Sequence, residues 1–259
     1  MDKSSLGGAL LAVSGIGIGL VLEGGKLIQM IQPTAALIVF GGTIGAVMIQ
    51  FPLATIIEAA KQLRNVFTYK ESTSSQLVSD LIRLAQKARK DGLLSLDADL
   101  EAVADPFMKK SLMLAIDGTE PDELRDLMSQ ELLLLAEREE QVPKVFEAAG
   151  GFAPTIGIIG AVLGLIQVMQ RLENINEVGK GIAVAFVATI YGVGSANILF
   201  LPAAGKLKIR LRERQQIREM TLEAVASILE GINPRALESK LGGYIEHGVE
   251  VQLQRPVYQ

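Results

Sequence analysis

Four stretches of this chain, residues 4–22, 27–57, 148–170 and 181–205, contain no Asp, Glu, Lys, Arg or His. A helix needs about 20 apolar residues to cross the hydrocarbon of a bilayer, so the pattern predicts four transmembrane helices. Each must be helical, because lipid offers no partner to an unpaired backbone group. The same pattern leaves no acidic or basic side chain inside the membrane.

Charge is instead gathered into blocks: 21% of residues are charged in a chain that is 49% hydrophobic. The expected organisation is an all-α polytopic membrane protein with four transmembrane helices and a helical cytoplasmic domain. Residues 1–57 hold spans one and two (about 4–22 and 31–51), 58–147 the cytoplasmic domain, 148–205 spans three and four, and 206–259 the cytoplasmic C-terminal helices and tail. With no Cys there is no disulfide framework or metal–thiolate site, and one His cannot build a zinc cluster. The first apolar run lacks an A-x-A cleavage site and reads as an anchor, not a cleaved signal.

Lys and Arg are enriched in cytoplasmic loops near span ends. Of 25 such residues, only Lys26, Arg171 and Lys180 fall in the short loops 23–26 and 171–180. Lys206, Lys208, Arg210, Arg212, Arg214 and Arg218 follow the fourth span directly. Both termini and the middle block are therefore expected in the cytoplasm. The basic cluster reads as a topology signal and lipid-headgroup anchor, and no nucleic acid is needed to explain it.

In the middle block, Leu77, Leu81, Leu84, Ala85 and Ala88 recur at helical spacing before a stop at Asp91-Gly92. Asp105-Pro106 pairs an N-cap with proline at the first helical position and opens a helix to about Ile116. Thr119-Glu120-Pro121-Asp122 starts another over 122–141, with Leu124, Leu127, Leu132 and Leu135 as its apolar stripe. Residues 203–230 read as one long helix leaving the membrane and stopped by Gly231. Asn233-Pro234 then starts a short last helix before Gly242-Gly243, with fraying beyond. No segment has strand periodicity.

Several apparent motifs carry no chemistry. Gly15, Gly17 and Gly19 lack G-x-G-x-x-G spacing and the strand–turn–helix context of a nucleotide loop. Asp97 with Asp99, and Glu137 with Glu139 and Glu140, read as solvated helix faces. His247 reads as exposed near the end of the chain.

Spans three and four differ from the first two. Ala153, Gly157, Gly160, Ala161 and Gly164 form a strip of small residues on one, and Ala185, Thr189, Gly192 and Ala196 on the other. Such strips let helices approach closely in lipid, within a subunit or between subunits. Pro154 removes the helical partner of the Gly150 carbonyl and Pro202 that of Ile198. Freed carbonyls at membrane depth must meet water, protein or an ion, so the prolines mark either simple kinks or the inner mouth of a polar pathway. Hydroxyls in these spans are few: Thr155, Thr189, Tyr191 and Ser195.

The run Phe152-Ala153-Pro154-Thr155-Ile156-Gly157-Ile158-Ile159-Gly160-Ala161-Val162-Leu163-Gly164-Leu165 resembles the third-span signature of MotA-type flagellar stator subunits. Ala188-Thr189-Ile190-Tyr191-Gly192, Ala196-Asn197 and the stretch from Leu201-Pro202 to Leu207 resemble their fourth-span signature. Gly41-Gly42-Thr43, the run from Ala88 to Asp97, and Glu230-Gly231-Ile232-Asn233-Pro234 match in the same order. Nearly the whole chain is covered.

The resemblance implies a subunit that converts ion flow across the bacterial inner membrane into torque. It implies a ring of these subunits, a pentamer, around a dimer of a single-span MotB-type partner whose Asp carries the ion. Independently, an ion path through hydrocarbon needs a polar carrier, and these spans supply no carboxylate, so a second protein must. Pro154 and Pro202 match the prolines that couple protonation to the cytoplasmic domain, with Thr155 and Thr189 beside the pathway. Arg89 and Asp97 match positions that engage the rotor protein FliG, although the family more often has Glu at the second. Sodium-driven relatives carry Thr where this chain has Ala161 and Ala188, so the transported ion is expected to be a proton. No cofactor and no enzymatic activity are expected.

The alternatives are a sodium-driven stator, two readings within the same superfamily and, from different classes, a scaffold or a membrane enzyme, the last lacking any nucleophile–base constellation or metal cluster in or near the spans. ExbB and TolQ resemble a three-span plan with an external N-terminus, unlike this chain. A stator for gliding or another non-flagellar machine would share these signatures. A membrane scaffold without ion flux would lack an Asp-bearing partner.

Overall fold

The computed structural model describes residues 3–68, 74–173 and 175–253. Every regular element among them is helical. The order is α1 (Lys3–Leu22), a 3-10 turn (Leu27–Met30), α2 (Pro33–Ala36), a π turn (Leu37–Gly41), α3 (Gly42–Gln50), α4 (Leu53–Thr68) and α5 (Ser74–Asp91). A 3-10 segment (Leu93–Ala102), α6 (Pro106–Ile116), α7 (Pro121–Gln170), α8 (Ile175–Ser195), a second π turn (Ala196–Phe200), α9 (Leu201–Leu229) and α10 (Pro234–Leu253) complete it. The side chain of His247 lies outside the described ones.

The helix signals act as local chemistry requires. Asp105 accepts a hydrogen bond from the Met108 amide at 2.8 Å, with Pro106 at the first helical position. Gly231 adopts φ +74°, and beyond it the Ile232 amide reaches back to the Ser227 carbonyl at 3.1 Å. That turn needs the left-handed region, which glycine occupies without steric penalty.

Three sequence expectations are corrected. The helix expected over 122–141 does not end before span three: α7 is one helix of 50 residues containing both Pro143 and Pro154. Leu127 is 45% exposed, and Met128 takes its expected place in the stripe with Leu124 and Leu132. The reason is register, since 124, 128, 132 and 135 advance by three or four residues while 127 lies about a quarter-turn away. Finally, α10 runs through Gly242-Gly243 to Leu253. Neither glycine has positive φ, so neither forms a stopping turn.

The chain divides into two compact units, Met1–Lys70 with Glu139–Lys208, and Glu71–Arg138 with Ile209–Gln259. In the second, Leu81, Leu84, Leu96, Leu112, Leu124, Met128, Val225, Leu237 and Leu241 form one core. Arg125 ties this unit at its surface, meeting Glu230 at 2.6 Å and Glu223 at 3.4 Å. Lys240 also bonds Glu223. Burial opposes ionisation of Glu223, but the hydrogen bonds from Lys240 and Arg125 prevail and hold its carboxyl below the usual range.

In the first unit, four helices are long and apolar enough to cross a membrane. Their outer surfaces are strongly apolar, with Ile49 91% and Leu22 81% exposed. A contiguous apolar surface of this kind belongs against lipid or a partner chain. Inside, Val47, Ala59, Val142, Phe146, Ala203 and Leu207 form one cluster, and Ala35, Val39, Val187 and Ala188 another. Thr43, 2% exposed, donates to the Val39 carbonyl within the first π turn at 2.6 Å.

Candidate ion-coupling site

Spans three and four meet backbone to backbone. A β-carbon on Gly157 would lie 2.9 Å from the Ala188 carbonyl oxygen, and one on Gly164 2.8 Å from that of Gly181. One on Gly160 would lie 2.8 Å from the Ala188 methyl. The small residues are therefore used within the subunit, for the close contact that dispersion rewards in lipid. Ala188, expected beside the ion path, is fully buried in this seam.

Span two covers one flank of the seam. Gly42 abuts Ile156, Ile38 approaches Gly160, and Ala35 and Val39 pack with Val187, Ala188, Val184 and Tyr191. At about 100° per residue, Pro154 and Ala161 fall on the other side of α7, and Thr189 on the matching side of α8. In an antiparallel pair both offsets turn the same way, so these three residues share the flank that span two leaves open. All three are half-buried. Thr189 donates to the Ala185 carbonyl at 3.2 Å. Thr155, two residues from both Ala153 and Gly157, points instead to the back of α7, exposed, and donates to the Phe152 carbonyl at 2.8 Å.

The two prolines belong to neighbouring weak points. The carbonyl that Pro154 deprives is that of Gly150, and a β-carbon on Gly150 would lie 2.6 Å from the Leu201 side chain. Leu201 directly precedes Pro202, and the π turn Ala196–Phe200 precedes both. A π turn shifts the hydrogen-bond register of a helix and recurs at functional positions. Pro202 also lines a cavity of about 320 Å³ with Ser5, Gly8, Ala12, Asn197 and Lys206. Sequence reasoning identified the prolines but missed both π turns; in span four the signal was Pro202 itself, inside an uninterrupted apolar run.

Arg89 lies in the last turn of α5 and Asp97 in the 3-10 segment after it; both are exposed. Nearby Asp99 is engaged internally, by Lys87 at 2.6 Å and Arg83 at 3.8 Å. Neither Arg89 nor Asp97 joins an ion pair among the described residues. The acidic face read as uniformly solvated thus separates into one paired carboxylate and one unpaired one.

These features define a class: a polytopic helical membrane subunit with charge-free spans, a tightly sealed helix pair and one open flank bearing a lone hydroxyl. Residues 99–220 match the MotA/TolQ/ExbB proton channel family, and residues 6–92 match the motility protein A N-terminal family. Motility protein A of Bacillus subtilis is 39% identical over 95% of this chain and 91% of its own length. A solved C. jejuni MotAB structure contains a chain that superposes with a TM-score of 0.89 at 32% identity, covering 100% of this chain and 99% of that one. A chain of the flagellar MotAB stator complex from Bacillus subtilis gives 0.87 at 36% identity, covering 98% and 100%. The chain belongs to the MotA/TolQ/ExbB proton channel family.

Proposed function

We propose that this chain is the MotA-type subunit of a flagellar stator, coupling proton flow across the bacterial inner membrane to torque on the rotor. The observation that carries this reading is the open flank of spans three and four. It offers small residues and the Thr189 hydroxyl but no titratable group, so it suits the helix of a partner that brings the carboxylate. That partner is a single-span MotB-type subunit, a role supported by the MotAB complexes that the chain's structural relatives form. A pentameric ring of this chain places five such flanks around it, with both termini in the cytoplasm.

Sodium binding needs several oxygen ligands, as hard cations do. On the open flank Ala161 provides none, leaving the Thr189 hydroxyl as the side-chain oxygen there, which favours the proton. Each unit charge crossing 100 mV yields about 2.3 kcal/mol. In the cytoplasm Arg89 and Asp97, exposed and outside the ion pairs of the described residues, are the two groups we assign to contact with the rotor protein FliG.

The test expresses the chain with its MotB-type partner in cells lacking stators and measures rotation without sodium and with a protonophore. Rotation independent of sodium and abolished by the protonophore is expected. Strict sodium dependence overturns the choice of ion. Assembly with the partner but no flagellar rotation overturns the flagellar role in favour of another machine.

A further inference from the structure

Span two does not begin as a regular helix. Between the 3-10 turn ending at Met30 and α2 starting at Pro33, Ile31 and Gln32 are extended, yet they lie within the charge-free run 27–57. Irregular backbone at membrane depth persists only where protein satisfies its polar groups. Tyr191 supplies two of those partners. Its hydroxyl donates to the Met30 carbonyl and accepts from the Gln32 amide at 3.3 Å. Its ring lies 5.9 Å from that of Phe40, at 30°.

The same helical turn of span four faces three neighbours. Thr189 is on the open flank, Gly192 is in the seam against Ala153 and Gly157, and Tyr191 reaches the start of span two on the covered flank. A displacement of this turn is therefore delivered directly to span three; it reaches the body of span two through the packing of Ala35 and Val39, and the irregular start of span two through the Tyr191 hydroxyl.

We infer that Tyr191 is a positioning residue that pins the start of span two to span four, so that movement begun on the Thr189 flank carries span two with it. This role rests on the stator reading above. It predicts a separation of ion flow from work. The pin lies on the flank away from the ion-facing side, so its loss leaves the pathway intact and weakens transmission.

The experiment compares wild type, Tyr191→Phe and Phe40→Leu, each co-expressed with the MotB-type partner. It measures partner co-purification, proton uptake into proteoliposomes holding the complex, and stall torque in cells. For Tyr191→Phe, which loses both hydrogen bonds of the hydroxyl, co-purification and proton uptake are expected to match wild type while stall torque falls to roughly half or less. Phe40→Leu, which keeps the hydroxyl and its partners, is expected to retain torque. Unchanged torque in Tyr191→Phe overturns the role. So does a parallel loss of uptake and torque, or failure of the variant to assemble, either of which makes the hydroxyl a purely structural group. Wild type showing neither uptake nor torque would instead overturn the stator reading itself.

Discussion

A β-carbon on Gly192 would come within 2.5 Å of the Ala153 carbonyl oxygen. The obstacle is backbone, which cannot rotate away as a side chain can, so Gly192→Ala must push the two spans apart. Overpacking of this kind costs about 1–3 kcal/mol. A lowered thermal midpoint of the purified protein is expected; an unchanged midpoint would mean that the seam is looser than described.

The two alanines expected beside the ion path are not equivalent. Ala188 is fully buried against Gly160, whereas Ala161 is half-buried on the open flank. Ala188→Thr should destabilise by about 1–3 kcal/mol through overpacking. Ala161→Thr should stay within about 0.5 kcal/mol of the parent, as substitutions outside tight packing do. Chemical-denaturation or thermal midpoints of the two variants check this; equal midpoints would contradict the assigned flanks.

Arg89 and Asp97 are exposed and outside the ion pairs among the described residues, so they contribute little to folding. Arg89→Glu is expected to leave the thermal midpoint within about 0.5 kcal/mol of wild type while reducing torque. A compensating charge reversal on the rotor protein should restore part of it. Full torque in Arg89→Glu would remove this residue from the rotor contact.

Stability of the unit containing α5, α6 and α10 should fall on acidification. The Glu223 carboxyl is held below its usual value of 4.5 by Lys240 and Arg125, against the opposing effect of burial. A carboxyl depressed in the folded state contributes stability that is present above the unfolded value and lost as pH falls through the folded one. Hydrogen exchange of α9 and α10 followed below about pH 4.5 should show this loss in wild type and a shallower one in Glu223→Gln. Identical pH profiles would show that the network contributes nothing.

Sequence alone determined the four spans, since charge-free runs of this length have few alternatives in water or lipid. It also determined helix limits where local chemistry suffices, as at Asp105-Pro106, Gly92 and Gly231. Where a limit depends on competition between local propensity and packing, local signals misled: α7 continues through Pro143 and Pro154, and α10 through two glycines.

The division of roles among span residues was decided only by tertiary structure. The small strip on span three includes Gly157, Gly160 and Ala161 alike, and nothing local tells which of them meet span four. The seam takes Gly157 and Gly160 because their missing side chains let backbones touch, and this turns Ala161 with Pro154 and Thr189 outward. Tyr191 appeared in the sequence merely as one of four hydroxyls. Its part in pinning the start of span two depends on backbone groups 159 and 161 residues away, a relationship that no periodicity encodes.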